Sequence, residues 1–296
     1  MAAPPDEVPI DPDVVRALLA EQHPDLVPLP LGRRYAGWDM AMYPLGDDLA
    51  VRLPRTAASV GSMRSELRWV RELAVGWTFP TQRVVRVGVP GAGYPWPWAV
   101  VTWLPGVTAA EVPLAASAGP PLGRALRQVH VPAPTDAPYN DEQSIPLADR
   151  SAGVVASLAH VEREGPARGL RLDRALAERT WADALAAPVD VPRTWIHADL
   201  HPHNLVSVDG RFGGILDWAD VAEGDPATDL GFLWLDLPAA GVAAAYDACG
   251  GLSPATAARA RGVGLALATG WAGWDDPLTS AIGWRALIGL GVVRPV

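Results

Sequence analysis

Asp209-Gly210 is the strongest local instruction in this chain, a two-residue β-hairpin signal flanked by Val208 and Arg211. A turn of that length fixes the register of the strands beside it. Val208 is expected opposite Arg211, Val206 opposite Gly213, and Asn204 opposite Ile215. Asp217 stands two residues beyond Ile215, and residues two apart share a strand face. Asn204 and Asp217 are therefore expected as diagonal neighbours at the open end of the hairpin, roughly 7–8 Å apart at the backbone. A carboxamide and a carboxylate placed that way offer oxygen donors only, a set that suits Mg²⁺ with water and phosphate completing its shell.

Upstream, Asp199 precedes Asn204 with the spacing Asp-x-x-x-x-Asn. In kinase catalytic loops this spacing joins the Asp that takes the proton of the attacking hydroxyl to an Asn that binds metal. His197-Ala198-Asp199 stands where kinases have His-Arg-Asp. His197 reads as a residue that hydrogen-bonds and orients the loop rather than one that does chemistry. Downstream, Asp225-Pro226 reads as an N-cap followed by the first helical position, and Asp229 then suits the positive end of the helix dipole. Nearer the start, Asp48 to Leu53 is a strand carrying Arg52, and Glu66 borders the apolar face of the next helix. A strand cation paired with a helix carboxylate positions α- and β-phosphates in kinases. Taken alone, an exposed strand Arg is the default reading.

The rest of the chain divides by pattern. A short helix is expected at Asp13 to Ala20. Strand-like runs follow at Leu26 to Leu31, Trp38 to Tyr43 and Asp48 to Leu53, separated by turns at Gly32, Gly37 and Gly46. Met63, Leu67, Val70 and Ala74 recur at helical spacing within Val60 to Val75. Two further strands are expected at Arg83 to Val87 and Trp98 to Trp103. Leu104-Pro105-Gly106 breaks the pattern, which places a boundary between a first domain, 1–104, and a second, 105–296. The second reads as mostly helical, with helices at Leu122 to Val131, Leu147 to Val161 and Leu172 to Ala187, a Pro-rich loop from Pro132 to Pro146, and a strand at Thr194 to His197.

Composition limits the partners. The formal net charge of −9 argues against a nucleic-acid backbone and is compatible with a cationic substrate. No stretch approaches the roughly 18 apolar residues of a membrane span. Met1 to Val8 is acidic and Pro-containing, without the basic start and apolar run of a signal peptide. Cys249, the single cysteine, cannot form an intramolecular disulfide. A cytoplasmic protein is expected. All 24 Lys+Arg residues are Arg, so any task usually given to Lys falls here to Arg.

His197 to Asn204, then Ile215-Leu216-Asp217-Trp218, then Gly224 to Leu230 together resemble the aminoglycoside phosphotransferase family. Gly37 to Met40, Leu49 to Arg55 and Gly93 to Trp98 resemble its nucleotide lobe, and the resemblance runs over about residues 25 to 290. It implies an α+β, two-lobed, protein-kinase-like fold: a small, mainly antiparallel-sheet lobe with one main helix that binds nucleotide, and a larger, mostly helical lobe for catalysis and acceptor binding. It implies transfer of the γ-phosphate of ATP or GTP, with Mg²⁺, to a hydroxyl of a small molecule such as an aminoglycoside or a macrolide. Carried over residue by residue, Asp199 is the catalytic base, and Asn204 and Asp217 are the metal ligands. Arg52 is the phosphate contact, Glu66 its partner, and Trp103 to Leu104 the adenine-facing hinge. Two departures stand out. Ala198 replaces the usual Gly of the His-Gly-Asp motif, and Arg52 replaces a frequent Lys. The turn from Gly32 to Gly37 is also not a full Gly-rich phosphate loop.

Alternatives remain. The scaffold also hosts metabolite kinases, and a degenerate member would bind nucleotide without turnover. A protein acceptor is disfavoured by the short gap from Asp217 to Asp225, which has no room for an activation segment. A zinc hydrolase could use His197, Asp199, His201 and His203. That reading lacks a second ligand cluster and leaves Asn204 and Asp217 unexplained. Candidates for holding the acceptor are Trp234, Asp236, Trp271, Trp274, Asp275 and Asp276.

Overall fold

The computed structural model describes residues 4–296. Met1, Ala2 and Ala3, the first part of the acidic start, lie outside the described residues. The chain separates into two compact units. One runs to Gly76 and includes Pro80–Pro105 and Asp217–Ala219; the other comprises Trp77–Phe79, Gly106–Leu216 and Asp220–Val296.

The first unit opens with helix α1, Pro12–Gln22. Asp11 starts it by accepting the N–H groups of Asp13 and Val14, and Pro12 sits where its missing N–H loses nothing. Five antiparallel strands follow: β1 Tyr35–Ala36, β2 Met40–Leu45, β3 Leu49–Pro54, β4 Val84–Gly88 and β5 Trp98–Thr102, in the sheet order β1-β2-β3-β5-β4. Alternation along β3 sets the two faces. Val51 and Leu53 join Tyr43, Trp98 and the buried side of α1 in one core cluster. Ala50 joins Met40, Ala99 and Met63 in another. Arg52 belongs to this second face by parity, and the strand register sets it between Met42 and Ala99.

The helix expected over Val60 to Val75 is one helical run of changing pitch. Helix α2, Val60–Ser65, widens into a π-helical stretch, Glu66–Val70, before α3, Arg71–Leu73, and a 3₁₀ turn, Ala74–Gly76. The expected strand from Leu26 to Leu31 does not form. A 3₁₀ turn, Pro24–Leu26, occupies its start, and only Leu31 bridges to Leu45. Pro28 and Pro30 carry no N–H to give a ladder, which is sufficient reason.

In chain order the second unit contains β6 Val107–Thr108, α4 Gly119–Val129, α5 Ser151–Glu164, β7 Leu170–Leu172, α6 Arg174–Ala186, β8 Thr194–Ile196, β9 Leu205–Val208, β10 Arg211–Ile215 and β11 Ala222–Gly224. Helices α7 Ala227–Asp236, α8 Ala239–Ala248, α9 Pro254–Ala272 and α10 Pro277–Gly289 follow, and β12 Val293–Pro295 closes the chain. Leu147–Arg150 forms a 3₁₀ turn ahead of α5 rather than its first turn. Leu172 falls in β7, which pairs with β12.

Every residue of α7 is buried, so it is the central helix of this unit. Its close approach to α9 depends on two glycines. A Cβ on Gly231 would lie 2.5 Å from Val263, and one on Gly264 would lie 2.4 Å from Trp234. Among the described residues no helix is long and apolar enough to cross a membrane.

Candidate active site

The hairpin of β9 and β10 turns at Asp209-Gly210, with φ of 52° and 78°, as a two-residue turn with both φ values positive requires. Val208 pairs with Arg211 as expected, but the register then slips. Ser207 faces Phe212, Val206 faces Gly214, and Leu205 faces Ile215. Gly213 is the extra residue of a bulge. A Cβ there would meet Val206 and Val208 at 2.9 and 3.0 Å, so glycine suits the position. The expected pairs Val206–Gly213 and Asn204–Ile215 are therefore not made. Asn204 instead ends the 3₁₀ turn Pro202–Asn204. Asp217 lies beyond the end of β10 and leaves the strand conformation, with φ of 52°. The shared-face argument for these two residues does not describe their arrangement.

In the second unit β8 delivers the chain into the loop that carries Asp199. Asn204 donates from Nδ2 to the Asp199 backbone oxygen at 2.8 Å and to its Oδ2 at 3.0 Å. His201 Nε2 stands 3.3 Å from the same Oδ2. The carboxylate is thus held from two sides and stays partly open to solvent. With its amide nitrogen turned to Asp199, Asn204 presents its oxygen as a free hard donor. His197 is fully buried. Its Nε2 lies 2.8 Å from the Leu216 carbonyl, and its Nδ1 accepts the Asp199 N–H at 3.2 Å. A carbonyl only accepts and an amide only donates, so these two contacts match a ring that carries its hydrogen on Nε2. The ring ties the loop to the chain just before Asp217, as its reading as an orienting residue requires.

The sequence signal for Asp229 was a helix-terminal acid, and that underestimates it. Its fully buried carboxylate accepts the N–H of His197 at 2.8 Å, the N–H of Ala198 at 3.0 Å, and His130 Nε2 at 2.9 Å. Burial works against its charge. The His130 hydrogen bond, the nearby imidazoles and the His197 N–H outweigh it and lower its pKa. Asp225 is the residue closest to a cap on α7, accepting the Ala227 N–H at 3.0 Å, although the helix is bounded by Pro226. Its other partner is Arg259 of α9, a buried cation that sequence reasoning passed over.

Ala198 adopts φ of 68°, a left-handed conformation that costs an L-residue roughly 1–2 kcal/mol. The usual Gly of this position would adopt it freely. Among the described residues Ala198 and Asp217 are two of four non-Gly residues with positive φ, Ala92 and Asp209 being the others. Backbone strain of this kind gathers at working sites.

In the first unit Arg52 forks between two carboxylates. Nη1 donates to Glu66 and Nη2 to Asp217. Arg52 and Glu66 are buried, while the Asp217 side chain is 43% exposed. Burial opposes the Arg52 charge, but Glu66 and Asp217 prevail and raise its pKa. Burial raises the Glu66 pKa, with Arg52 pulling it back. The Glu66 pairing follows the sequence expectation; the second arm, to Asp217, does not. The next residue, Trp218, is anchored by its indole N–H to Thr81 Oγ1 at 2.7 Å. Trp103 follows β5, with its N–H on the Asp48 carbonyl at 2.7 Å and its ring 5.7 Å from that of Tyr35; Leu104 is half-buried beside it.

Of the acceptor candidates, Trp234 and Asp236 are buried. Trp234 gives its indole N–H to Tyr246, and Arg261 lies over its ring. Asp276 caps α10 through the Thr279 N–H. Trp271 is different. Its ring centroid lies 5.5 Å from His201, 6.4 Å from His203 and 6.4 Å from the exposed Trp274. Partial burial, with His201 beside it, lowers the His203 pKa. An aromatic patch therefore begins at the residue that touches the Asp199 carboxylate. Among the described residues no three His, Cys, Asp or Glu side chains gather as a metal-holding group, which leaves the zinc reading without a ligand set.

Residues 33–262 match the model of the phosphotransferase enzyme family, APH. The homoserine kinase of Gluconacetobacter diazotrophicus is 38% identical over 124 residues, 41% of this chain and 36% of that protein, so the match spans about a third of the relative's length. Among solved structures, the GDP complex of wild-type aminoglycoside 2′-phosphotransferase-IIIa superposes with a TM-score of 0.63 at 15% identity, covering 94% of this chain and 98% of that one. Macrolide 2′-phosphotransferase MphH from Brachybacterium faecium gives 0.56 at 22%, covering 93% and 98%. The ternary complex of APH(2″)-IIa with streptomycin and ATP gives 0.58 at 14%, covering 96% of each chain. At these identities the likeness is one of fold: α+β and kinase-like.

Proposed function

We propose that this chain, which belongs to the phosphotransferase enzyme family, moves the γ-phosphate of ATP or GTP to a hydroxyl group of a small molecule. The observation that carries this reading is the Asp199 carboxylate, oriented by Asn204 and His201 and still open to solvent. Asp199 accepts the proton of the acceptor hydroxyl as its oxygen attacks phosphorus. Arg52 places its charge on the donor phosphates, with Glu66 fixing its direction. Trp103 and Leu104 border the base. Asn204 and Asp217 are the proposed magnesium ligands, and their chemistry fits: one free amide oxygen and one half-exposed carboxylate, both hard donors. Magnesium bound there would neutralise charge on the phosphates. Most of the acceleration then comes from positioning and preorganised charge. A nucleotide donor supports reading the reaction as cytoplasmic.

The acceptor is proposed as an antibiotic of the aminoglycoside or macrolide kind, the substrates named for the solved relatives. The patch of His201, His203, Trp271 and Trp274 favours one with a broad apolar or cationic face. A second reading, a small metabolite such as homoserine, rests on the partial match to homoserine kinase.

Calorimetric titration with non-hydrolysable ATP and GTP analogues, with and without Mg²⁺, tests the donor side. Mg²⁺-dependent binding of one of them is expected. No binding of either to the folded protein would overturn the proposal. A panel of hydroxylated antibiotics and homoserine, assayed for nucleotide-dependent phosphorylation, then separates the two acceptor readings.

A further inference from the structure

The second unit contains a cavity of about 330 Å³ that the phosphotransfer reading does not use. It adjoins Arg193, just ahead of β8, whereas Asp199 lies beyond the other end of that strand, which itself spans roughly 10 Å. Its walls are mostly apolar, with Leu147, Leu185, Val189, Val191 and Val263 among them.

Three arginines border it, and two of them have carboxylate partners. Arg259 donates to Asp225 at 2.6 Å and to Asp190 at 3.2 Å. Arg193 pairs with Glu223. Arg150 is the exception. One terminal nitrogen reaches the Gln143 carbonyl and Oε1 at 3.2 and 3.1 Å. Its Nε is buried without a hydrogen-bond partner, and no carboxylate forms an ion pair with it among the described residues. Burial lowers the Arg150 pKa, and only the more distant Glu142 pulls it back. A half-buried guanidinium without a carboxylate partner can still donate a charge-assisted hydrogen bond to an anion. An apolar chamber with one such cation is the usual design of a small-molecule site.

We infer that this cavity binds a small carboxylic acid with an apolar body, its carboxylate on the Arg150 guanidinium and its hydrocarbon against Leu147, Leu185, Val189 and Val191. A monoanion fits better than a phosphate dianion. One cation is available, the walls are apolar, and Asp225 on the rim would repel a second charge. The position matters to the rest of the unit. Arg193 leads into β8 and so into the catalytic loop. Asp225, Ala227 and Thr228 lead into Asp229, which grips that loop. An occupant braces both roots.

The test uses the full chain and two probe acids, 4-methylpentanoate and 3-phenylpropanoate, with their neutral amides as controls, titrated by calorimetry. One molecule of acid per chain is expected to bind, with the amides weaker by about tenfold or more, the worth of a charge-assisted hydrogen bond. Arg150→Gln should erase the preference for acid over amide, and it should fold about as well as the parent, since it removes a half-buried charge that has no carboxylate partner. Leu185→Trp, at an exposed position on the cavity wall, should block acid and amide alike. No heat from either acid at millimolar concentration, equal binding of acid and amide, or acid binding unchanged in both variants would each overturn the proposal.

Discussion

Asp229 accepts the backbone N–H of His197 at 2.8 Å from a position that solvent does not reach. The residue that begins the His197-Ala198-Asp199 segment is therefore fixed by a side chain far along the sequence. Asp229→Asn keeps the shape but turns one of the two accepting oxygens into a donor facing an N–H. A loss of about 2–4 kcal/mol is expected, read as a lower melting temperature, with transfer falling more than nucleotide binding. The pH dependence has a definite sign. A carboxyl whose folded pKa lies below its unfolded value stabilises fully above the unfolded value, and loses that contribution as pH falls through the folded one. The gap in stability between parent and Asn variant should hold from neutrality to about pH 5 and close below pH 4. A gap that does not narrow there would count against the ionised anchor.

Asp199→Asn removes the proposed proton acceptor and retains the size of the side chain. Transfer should become undetectable, a fall of about 10³-fold or more, while the nucleotide analogue binds within about twofold of the parent. Turnover at the parental rate would end the assignment of Asp199 as base.

Ala198 offers a test of strain. Gly suits φ of 68° but surrenders a buried methyl group, so Ala198→Gly should fall within about 1 kcal/mol of the parent and keep its activity. Ala198→Val places a β-branched side chain where φ is positive and should lose about 2 kcal/mol or more. Equal melting temperatures for the Gly and Val variants would show that the backbone relaxes out of this conformation.

Arg52 serves Glu66 and Asp217 through separate nitrogens, a division that one ammonium group cannot reproduce. Arg52→Lys should lower stability by roughly 1–3 kcal/mol yet retain measurable transfer, because a charge still faces the phosphates. Arg52→Met leaves Glu66 buried beside no cation, and transfer should fall about 10²-fold below the Lys variant. If the Met variant matched the Lys variant in kcat and in KM for nucleotide, the role at the phosphates would be lost.

Asp236 carries the opposite pH signature. Both carboxylate oxygens are buried without a hydrogen-bond partner, and burial holds its pKa well above the ordinary value, with Arg285 pulling it back. A carboxyl raised on folding favours the native state most below its unfolded pKa, and that advantage declines as pH rises towards the folded value. Asp236→Asn should gain on the parent steadily from about pH 4 to pH 8, reaching about 1 kcal/mol or more. Melting curves across that range check it, and a flat difference would mean that Asp236 does not titrate in the core.

Local chemistry carried much of this molecule into view. The Asp209-Gly210 turn and the Arg52–Glu66 pairing depend on neighbours a few residues away or on one helical repeat, although Arg52 is buried where an isolated strand Arg reads as exposed. What escaped depends on distance or on single-residue irregularities. Gly213 reads as an ordinary strand residue until the side chains of Val206 and Val208 are seen to crowd it. The prolines at 28 and 30 outweigh an apolar run that otherwise reads as strand. Asp229 looks like a helix-terminal acid because its partners, His130 and His197, are separated from it by long stretches of sequence. Asp217 looked like the continuation of a strand because nothing local announces its left-handed backbone.

The cation that Glu66 and Asp217 share is a guanidinium, in a chain that has no lysine anywhere. Reagents that mark nucleotide sites by acylating a side-chain amine find nothing to react with here. A chemical survey built on such reagents would pass over this protein however tightly it held a nucleotide, and a probe directed at arginine or at the exposed Trp274 would be needed to reveal it.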